Sequence, residues 1–519
     1  MTIGILVLIA IASAAAASIA PAASGAPAAP GAPAAPSARV DIELTAATGR
    51  DIVVAAGGDF QAALDAARPG DVIVLEAGCL FKGPFHLPRK AADSWILIRT
   101  SALNAEFPPA GRRVGPADAA RMPHLVSSRD PVVTTDPGAH HYRFIGIEMS
   151  PAAGGFLLNV AMIGDHETAV AQQPHHIIFD RCYLHGDPVN GSRRGIALNG
   201  GHLAVIDSWL ADFKEAGADT QAIAGWNGAG PFRIEGNYLE AAGENLMFGG
   251  ADPSVGGLVP GDIEVRRNRF SKPLRWKQDE PAARGAGDTR WSVKNLFELK
   301  NARRVLIEGN LFERNWAQAQ NGFAILFTVR NQDGSAPWSV VEDVQFTNNI
   351  VTQSGSGINI LGRDDAARSG QARRIAIRNN IFSEIDSARW GGSGILFQML
   401  NGTADLKIEN NTATHNGAMI VAEGEPHRGF VYRGNLTSKN EYGFIGTGTG
   451  PEAPTIAAYF PGALIENNTR ATVNRSKGTT TSARASRAGA DIAAVCAALA
   501  PEDRPVTDCG NVAADMPRK

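Results

Sequence analysis

Cysteine is scarce: four residues in 519, too few for a disulfide-dense scaffold. A dominant charge sign is missing too. Lys and Arg total 49 against 52 Asp and Glu, so the net charge of −3 and pI of about 6.4 exclude the basic excess of a nucleic-acid binder. No cysteine spacing matches a zinc module. The pairs Gly154-Gly155 and Gly249-Gly250 lack the strand–turn–helix setting of a phosphate loop. What the chain does contain is apolar bulk and turn formers. Hydrophobic residues make up 44%, which excludes wholesale disorder, and 57 Gly with 30 Pro punctuate the chain too often for long helices.

The apolar run IGILVLIAIA (3–12) is followed by the small-residue stretch SAAAASIAPAAS, the pattern of a secretory signal peptide over residues 1–24. It departs from that pattern in one respect, because no Lys or Arg precedes it. Export to the periplasm or the medium is expected, with no membrane contact beyond this segment. The Pro/Ala-rich stretch 25–38 reads as an extended, semi-rigid spacer. A main domain is expected over 39–470, then a tail over 471–519 whose DIAAVCAALA (491–500) reads as a short helix capping or packing on the far end. In an oxidising compartment Cys496 and Cys509 could close a short loop, whereas Cys79 and Cys182 pair only if the fold brings them together.

One short phrase recurs: FDRCYL (179–184), IEGNYL (234–239), VRRNRF (265–270), IEGNLF (307–312), FTNNIV (346–351), IRNNIF (377–382), IENNTA (408–413) and related copies. Its fourth position is Cys182, Ser208, then Asn237, Asn268, Asn310, Asn349, Asn380, Asn411, Asn435 and Asn468, at intervals of 24 to 42 residues. Each phrase alternates apolar and polar residues and reads as a strand with one buried face. A second strand follows at a varying distance, as in ENLMF, NLFEL, FAILF and GINIL. Short strands at such a period imply a β-solenoid, in which each coil buries its apolar face against the next, and the corner asparagines should stack as a ladder. The stricter leucine pattern of a leucine-rich horseshoe is absent.

These corner repeats, with the first coil GGDFQAALDAARPGDVIVLEAGCLFKGPFHLP (57–88), resemble the right-handed parallel β-helix superfamily typified by pectate lyases. The resemblance implies an all-β, single-stranded right-handed solenoid of roughly ten or more coils. Its open N-terminal end would be capped by an amphipathic helix, here DFQAALDAA. The superfamily holds lyases, hydrolases, epimerases, tailspikes and adhesins, so function must come from the site.

Aligning coils predicts which side chains meet. Asn245 and Asn295 align as strand starts, which puts Glu244 beside Lys294; Gln221 aligns with Asn245 and brings Asp219 close. Arg330 aligns with Arg363, and Lys300 lies one coil earlier on the same edge. Two guanidinium groups at strand spacing repel unless an anion joins them. Either the local acids Asp333, Asp364 and Asp365 satisfy them or they clamp an acidic sugar. Six of eight tryptophans, among them Trp226 and Trp316, fall between 226 and 390, either packing loops or presenting flat faces to pyranose rings. The pairs His140–His141 and His175–His176 lie on early coils, where alternation exposes only one ring of each and argues against a metal site.

The expected function is cleavage of a uronate polysaccharide by β-elimination. Lys294 is the candidate base beside Glu244 and Asp219, and Arg330, Arg363, Lys300, Glu298, Trp226 and Trp316 are expected to bind substrate. β-Helix lyases that the chain resembles use Ca2+ or Arg as neutraliser, and the Ca2+ question stays open. The alternatives are a glycoside hydrolase using Asp219 and Glu244, or a non-catalytic polysaccharide-binding solenoid. The partner expected is the polysaccharide, met by a monomer.

Overall fold

The structure is a computed structural model and describes residues 31–103, 107–280, 289–472, 488–504 and 507. The segment read as a signal peptide lies outside these residues. The described chain winds through three parallel sheets of 14, 13 and 12 strands. Each coil adds one strand to the first sheet (from Asp51–Val54 to Leu464–Glu466), one to the second (from Leu80–Lys82 to Thr469–Ala471) and one to the third (from Phe85–Leu87 to Phe444–Gly446). This is the expected right-handed parallel β-helix. The helix Phe60–Ala66 closes its N-terminal end: Asp59 caps it by accepting from the Ala62 N–H at 2.9 Å, and Phe60, Ala63 and Leu64 join the interior.

The recurrent phrase is not one strand but a corner. In IEGNYL the first-sheet strand ends at Glu235, the chain turns at Gly236, and the second-sheet strand starts at Tyr238. The residue before the ladder position is left-handed whether or not it is glycine: φ is 72° at Gly236, 53° at Arg267, 56° at Asn348 and 53° at Asn379. That turn swings the next side chain inward. Asn268 Nδ2 then donates to Asn310 Oδ1 at 3.0 Å and to the Ile234 carbonyl at 2.8 Å, while its backbone N–H donates to the same Oδ1 at 2.9 Å. The same set repeats through Asn310, Asn349, Asn380, Asn411 and Asn435, and Asn468 ends the column. Ser208 and Cys182 extend it towards the N-terminal coils. Buried amides are tolerated here because each is hydrogen-bonded.

Two terminal segments run along the outside. The described part of the stretch read as a spacer is docked on the first sheet, as is the chain just after it. The Ala34 N–H donates to Asp343 at 2.9 Å, the Ser37 N–H donates to Asp262 at 2.7 Å, and Arg143 reaches the carbonyls of Ile42 and Glu43. The closing helix Ile492–Ala498 does not cap the far end. It lies on the corner flank, with Val495 and Leu499 against Leu311, Ile350 and Ile381. Beyond it, Asp503 pairs with both terminal nitrogens of Arg113 at 2.7 and 3.0 Å. Cys496 is disulfide-bonded, and its expected partner Cys509 lies outside the described residues. Cys79 and Cys182 are free thiols; burial pushes the Cys182 thiol up to about 12.

Candidate functional site

In the third sheet's strands, Phe297 and Leu299 enter the interior and Glu298 between them faces out, as strand alternation requires. Across successive coils Glu298 pairs with Leu326, and Leu326 with Asn359. On this outer face lies a groove of about 550 Å³, lined among others by Glu298, Lys300, Thr328, Arg330, Asn359 and Asp364. The groove gathers Glu298, Lys300 and Arg330 of the expected site residues. Lys300 and Arg330 are neighbours on adjacent coils, the Arg330 N–H donating to the Lys300 carbonyl at 3.0 Å. Glu298 is buried, so its carboxylate needs partners: Thr328 Oγ1 at 3.0 Å, Asn295 Nδ2 at 3.2 Å and Lys300 Nζ at 3.9 Å.

Arg330 and Arg363 do not form a clamp. Arg330 Nη1 donates to Asp364 at 2.8 Å and to Asp365, while Arg363 is exposed and lies outside the groove lining. Burial opposes the charge of Arg330, but its bonds to Asp365 and Asp364 outweigh that and strengthen it. The local acids thus take up the Nη1 end of Arg330.

The second group of expected residues sits beside the groove and outside its lining. Lys294 Nζ hydrogen-bonds to Asp219 and lies 3.6 Å from Glu244 Oε1. Glu244, not Asn245, pairs with both Gln221 and Asn295, so the alignment from sequence is off by one here. The cause is local. Asn245 turns into the corner, where Nδ2 donates to the carbonyls of Leu239 and Ser271 and Oδ1 accepts from the buried Lys272. Glu244 is fully buried, and its Oε2 accepts from Gln221 Nε2 at 2.8 Å. Burial raises its carboxyl, and the nearby Glu298 and Asp219 add to the effect. Burial also works against the Lys294 ammonium, but Glu244 and Asp219 outweigh it and raise this amine. Lys294, expected as the base, is thus held charged by two carboxylates.

The tryptophans divide in the same way. Trp316 is 4% exposed and packs with Trp276, Trp390, Ala242 and Val293, so it anchors loops and offers no face to a sugar. Trp226 is half-buried under the Arg194 guanidinium, 5.0 Å from its ring centre, and lies outside the groove lining. Thr328 and Asn359 line the groove and escaped the sequence reading. Asn359 carried a usable signal, a lone polar residue inside GINIL, and its Oδ1 is buried without a partner.

The residues do not suit Ca2+. The oxygens of Glu244 and Asp219 already face the Lys294 ammonium, which stands where a hard cation would take them.

No protein-family model matches the chain, and no curated protein matches it in sequence. Solved structures do. The catalytic unit of a thermostable GH87 α-1,3-glucanase from Streptomyces thermodiastaticus strain HF3-3 is similar at TM-score 0.50 and 12% identity, covering 83% of this chain and 70% of that one. A PL6 family alginate lyase, AlyGC, is similar at TM-score 0.50 and 14% identity, covering 85% of this chain and 56% of the lyase. The chain thus spans little more than half of that lyase's length. Continuous parallel sheets, an internal asparagine ladder, a helical cap and these likenesses make the chain a right-handed parallel β-helix protein of the pectate-lyase type of fold.

Proposed function

We propose that the chain cleaves a uronate-containing polysaccharide by β-elimination in the groove on the third sheet. One observation carries this reading: Lys300 and Arg330 stand side by side on adjacent coils and line the same open groove. Lys294, by contrast, is hydrogen-bonded to Asp219 and 3.6 Å from Glu244, whereas Lys300 has a single, more distant carboxylate, Glu298 at 3.9 Å. The roles assigned from sequence therefore shift by one strand end, with Lys300 as the base in place of Lys294.

In this reading Arg330 binds the sugar carboxylate. Asp364 and Asp365 engage only its Nη1, which leaves Nε and Nη2 to meet the substrate. Neutralising that carboxylate acidifies the neighbouring C–H and stabilises the enolate as it forms. The Lys300 amine takes the proton, the C–H electron pair becomes the new C=C bond, and the glycosidic C–O bond breaks with its electrons leaving on oxygen. Water protonates the departing oxygen. Lys294 contributes a fixed positive charge beside the groove. An apolar signal-like run and a disulfide at Cys496 support export.

A hydrolase reading rests on a separate observation. Glu244 is buried with a raised carboxyl while Asp219 is half-exposed, and both contact Lys294, so two carboxyls sit in contrasting environments. The full burial of Glu244 weighs against it. Ultraviolet absorbance of unsaturated uronate ends, run beside reducing-end release on a panel of uronate polymers, separates the two. Unsaturated product supports elimination, and reducing ends without it move the assignment to Asp219 and Glu244. A full panel with neither product removes the enzymatic reading for these substrates.

A further inference from the structure

The adjacent histidines of the early coils do not obey the alternation expected of them. His140 and His175 pair across neighbouring first-sheet strands. His141, His176 and, one coil on, His202 each adopt a left-handed backbone, with φ of 59°, 53° and 52°. A left-handed residue breaks the strand's period of two, so both rings of each pair end on the outer face. The same left-handed position recurs in later coils at Asp262, Arg304, Asp343, Arg374 and Asp405, so it belongs to the coil; in three consecutive early coils histidine occupies it.

The result is two columns of parallel imidazoles. His140 stacks on His175 at 4.8 Å and 1°; His141 stacks on His176 at 4.4 Å and 5°, and His176 on His202 at 4.3 Å and 7°. The columns meet edge to face, with Nδ1 atoms directed at one another: 2.8 Å between His140 and His141, and 2.8 Å between His175 and His176. His140 Nε2 lies 3.1 Å from the Lys90 carbonyl and must donate to it, which leaves the His140 Nδ1 lone pair free to accept. One nitrogen each from His141, His175 and His176 lies within 4.8 Å of the others, and Asp93, His140 and His141 form an overlapping trio. A cavity of about 480 Å³ opens onto His140 and His175 beside Arg89, Lys90 and Asp93.

We propose that these columns bind a borderline divalent transition cation of the Zn2+ class, with His141, His175 and His176 as ligands and Asp93 or His140 completing the set. Imidazole nitrogen with one carboxylate is the donor chemistry such a cation takes, and convergence of several nitrogens from two coils supplies the geometry. The Lys90 carbonyl on His140 Nε2 is the outer hydrogen bond that orients a metal-binding ring. A small rotation of the Nδ1-paired rings opens the gap to a cation, and a tautomer change on His141 frees its Nδ1 without losing a proton. Trp95, 5.2 Å from His141, shields one side. A bound ion would staple consecutive coils near the N-terminal end.

The test is calorimetric titration of the full-length, metal-stripped protein with ZnCl2 in a non-chelating buffer, paired with the visible absorbance of bound Co2+. The expected result is one equivalent bound at micromolar affinity or tighter, a Co2+ band of nitrogen-ligand intensity, and a higher melting temperature with Zn2+. His141→Ala and His175→Ala should each weaken binding at least about 10-fold. If His141→Ala does not fold, His175→Gln carries the same expectation. His185→Ala, in the separate group His124, Glu148 and His185, should leave the affinity unchanged. A wild-type protein that shows neither saturable heat nor a Co2+ band overturns the proposal, and so does binding lost with His185→Ala but kept in the column variants.

Discussion

Two columns of side chains run along the solenoid and follow opposite rules. At the corner between the first and second sheets the residue hardly changes: asparagine from Asn237 to Asn468, each amide bonded to the next. On the outer face of the third sheet it changes at every coil, from Met247 to Glu298, Leu326, Asn359 and Gln398. The uniform column is buried and satisfied. The varied one lines a groove and includes Asn359 Oδ1, buried without a partner. A repeated polar residue in a solenoid therefore reports architecture, because stacking rewards identity. Asn359 bonds along its column only through Nδ2, which donates to Gln398 Oε1 at 2.9 Å, and the Oδ1 left over reports a site.

The sharpest way to test this contrast is to remove one member of each column and ask which property fails. Lys300→Ala should lower turnover by about 10²–10⁴-fold, the range of a lost acid–base group, with a circular-dichroism melt close to wild type. Retained production of unsaturated ends by this variant would end the assignment. Arg330→Ala should cost about 10²–10³-fold in kcat/KM, while Arg363→Ala, exposed and outside the groove, should leave both constants unchanged. Equal effects of the two arginine variants would restore the clamp.

The corner column should respond in stability. Asn310→Ala strands the backbone N–H and Nδ2 of Asn268 and the Val265 carbonyl, so urea unfolding should show a loss of roughly 3 kcal/mol or more. Specific activity per folded molecule should hold. A variant as stable as wild type would mean the ladder follows from the coil and does not hold it together.

A further effect separates the C-terminal coils from the middle of the solenoid by pH. Burial lowers His415 and His427, in the C-terminal coils, to about 4 from an ordinary 6.5. Their folded pKa values lie below the unfolded ones, so the unfolded chain binds more protons between these limits. The stability concerned is fully present above pH 6.5 and is lost as pH falls towards 4, by up to roughly 3 kcal/mol for each ring. Amide hydrogen exchange at pH 5 should speed up in the C-terminal coils before the asparagine-rich middle. Uniform exchange along the solenoid would refute this.

Much of the fold was legible because its causes are local. A corner asparagine every 24 to 42 residues and a capped amphipathic helix announce themselves in a single chain. The left-handed residue ahead of each ladder position was hidden, since Arg181, Asp207 and Arg267 hold it as well as Gly236. At the site, Glu298, Lys300 and Arg330 were legible from alternation. Glu244 was misplaced by one residue because Asn245 turns into the corner, towards Leu239 of its own coil and Lys272 of the next. Trp316 was misread for a similar reason: packing against Trp276 and Trp390 is invisible along the chain.

By itself, then, the sequence determined the repeat, the strand faces and the region where polar residues interrupt them, since period and alternation act over a few residues. The tertiary structure decided which charged groups are spoken for. Lys294 meets Asp219 across 75 residues and Arg330 meets Asp364 across 34, so which cation remains free to act depends on coils that only folding brings together. It also decided that both rings of each histidine pair face outward, because a left-handed φ at the second ring overrides the period of two.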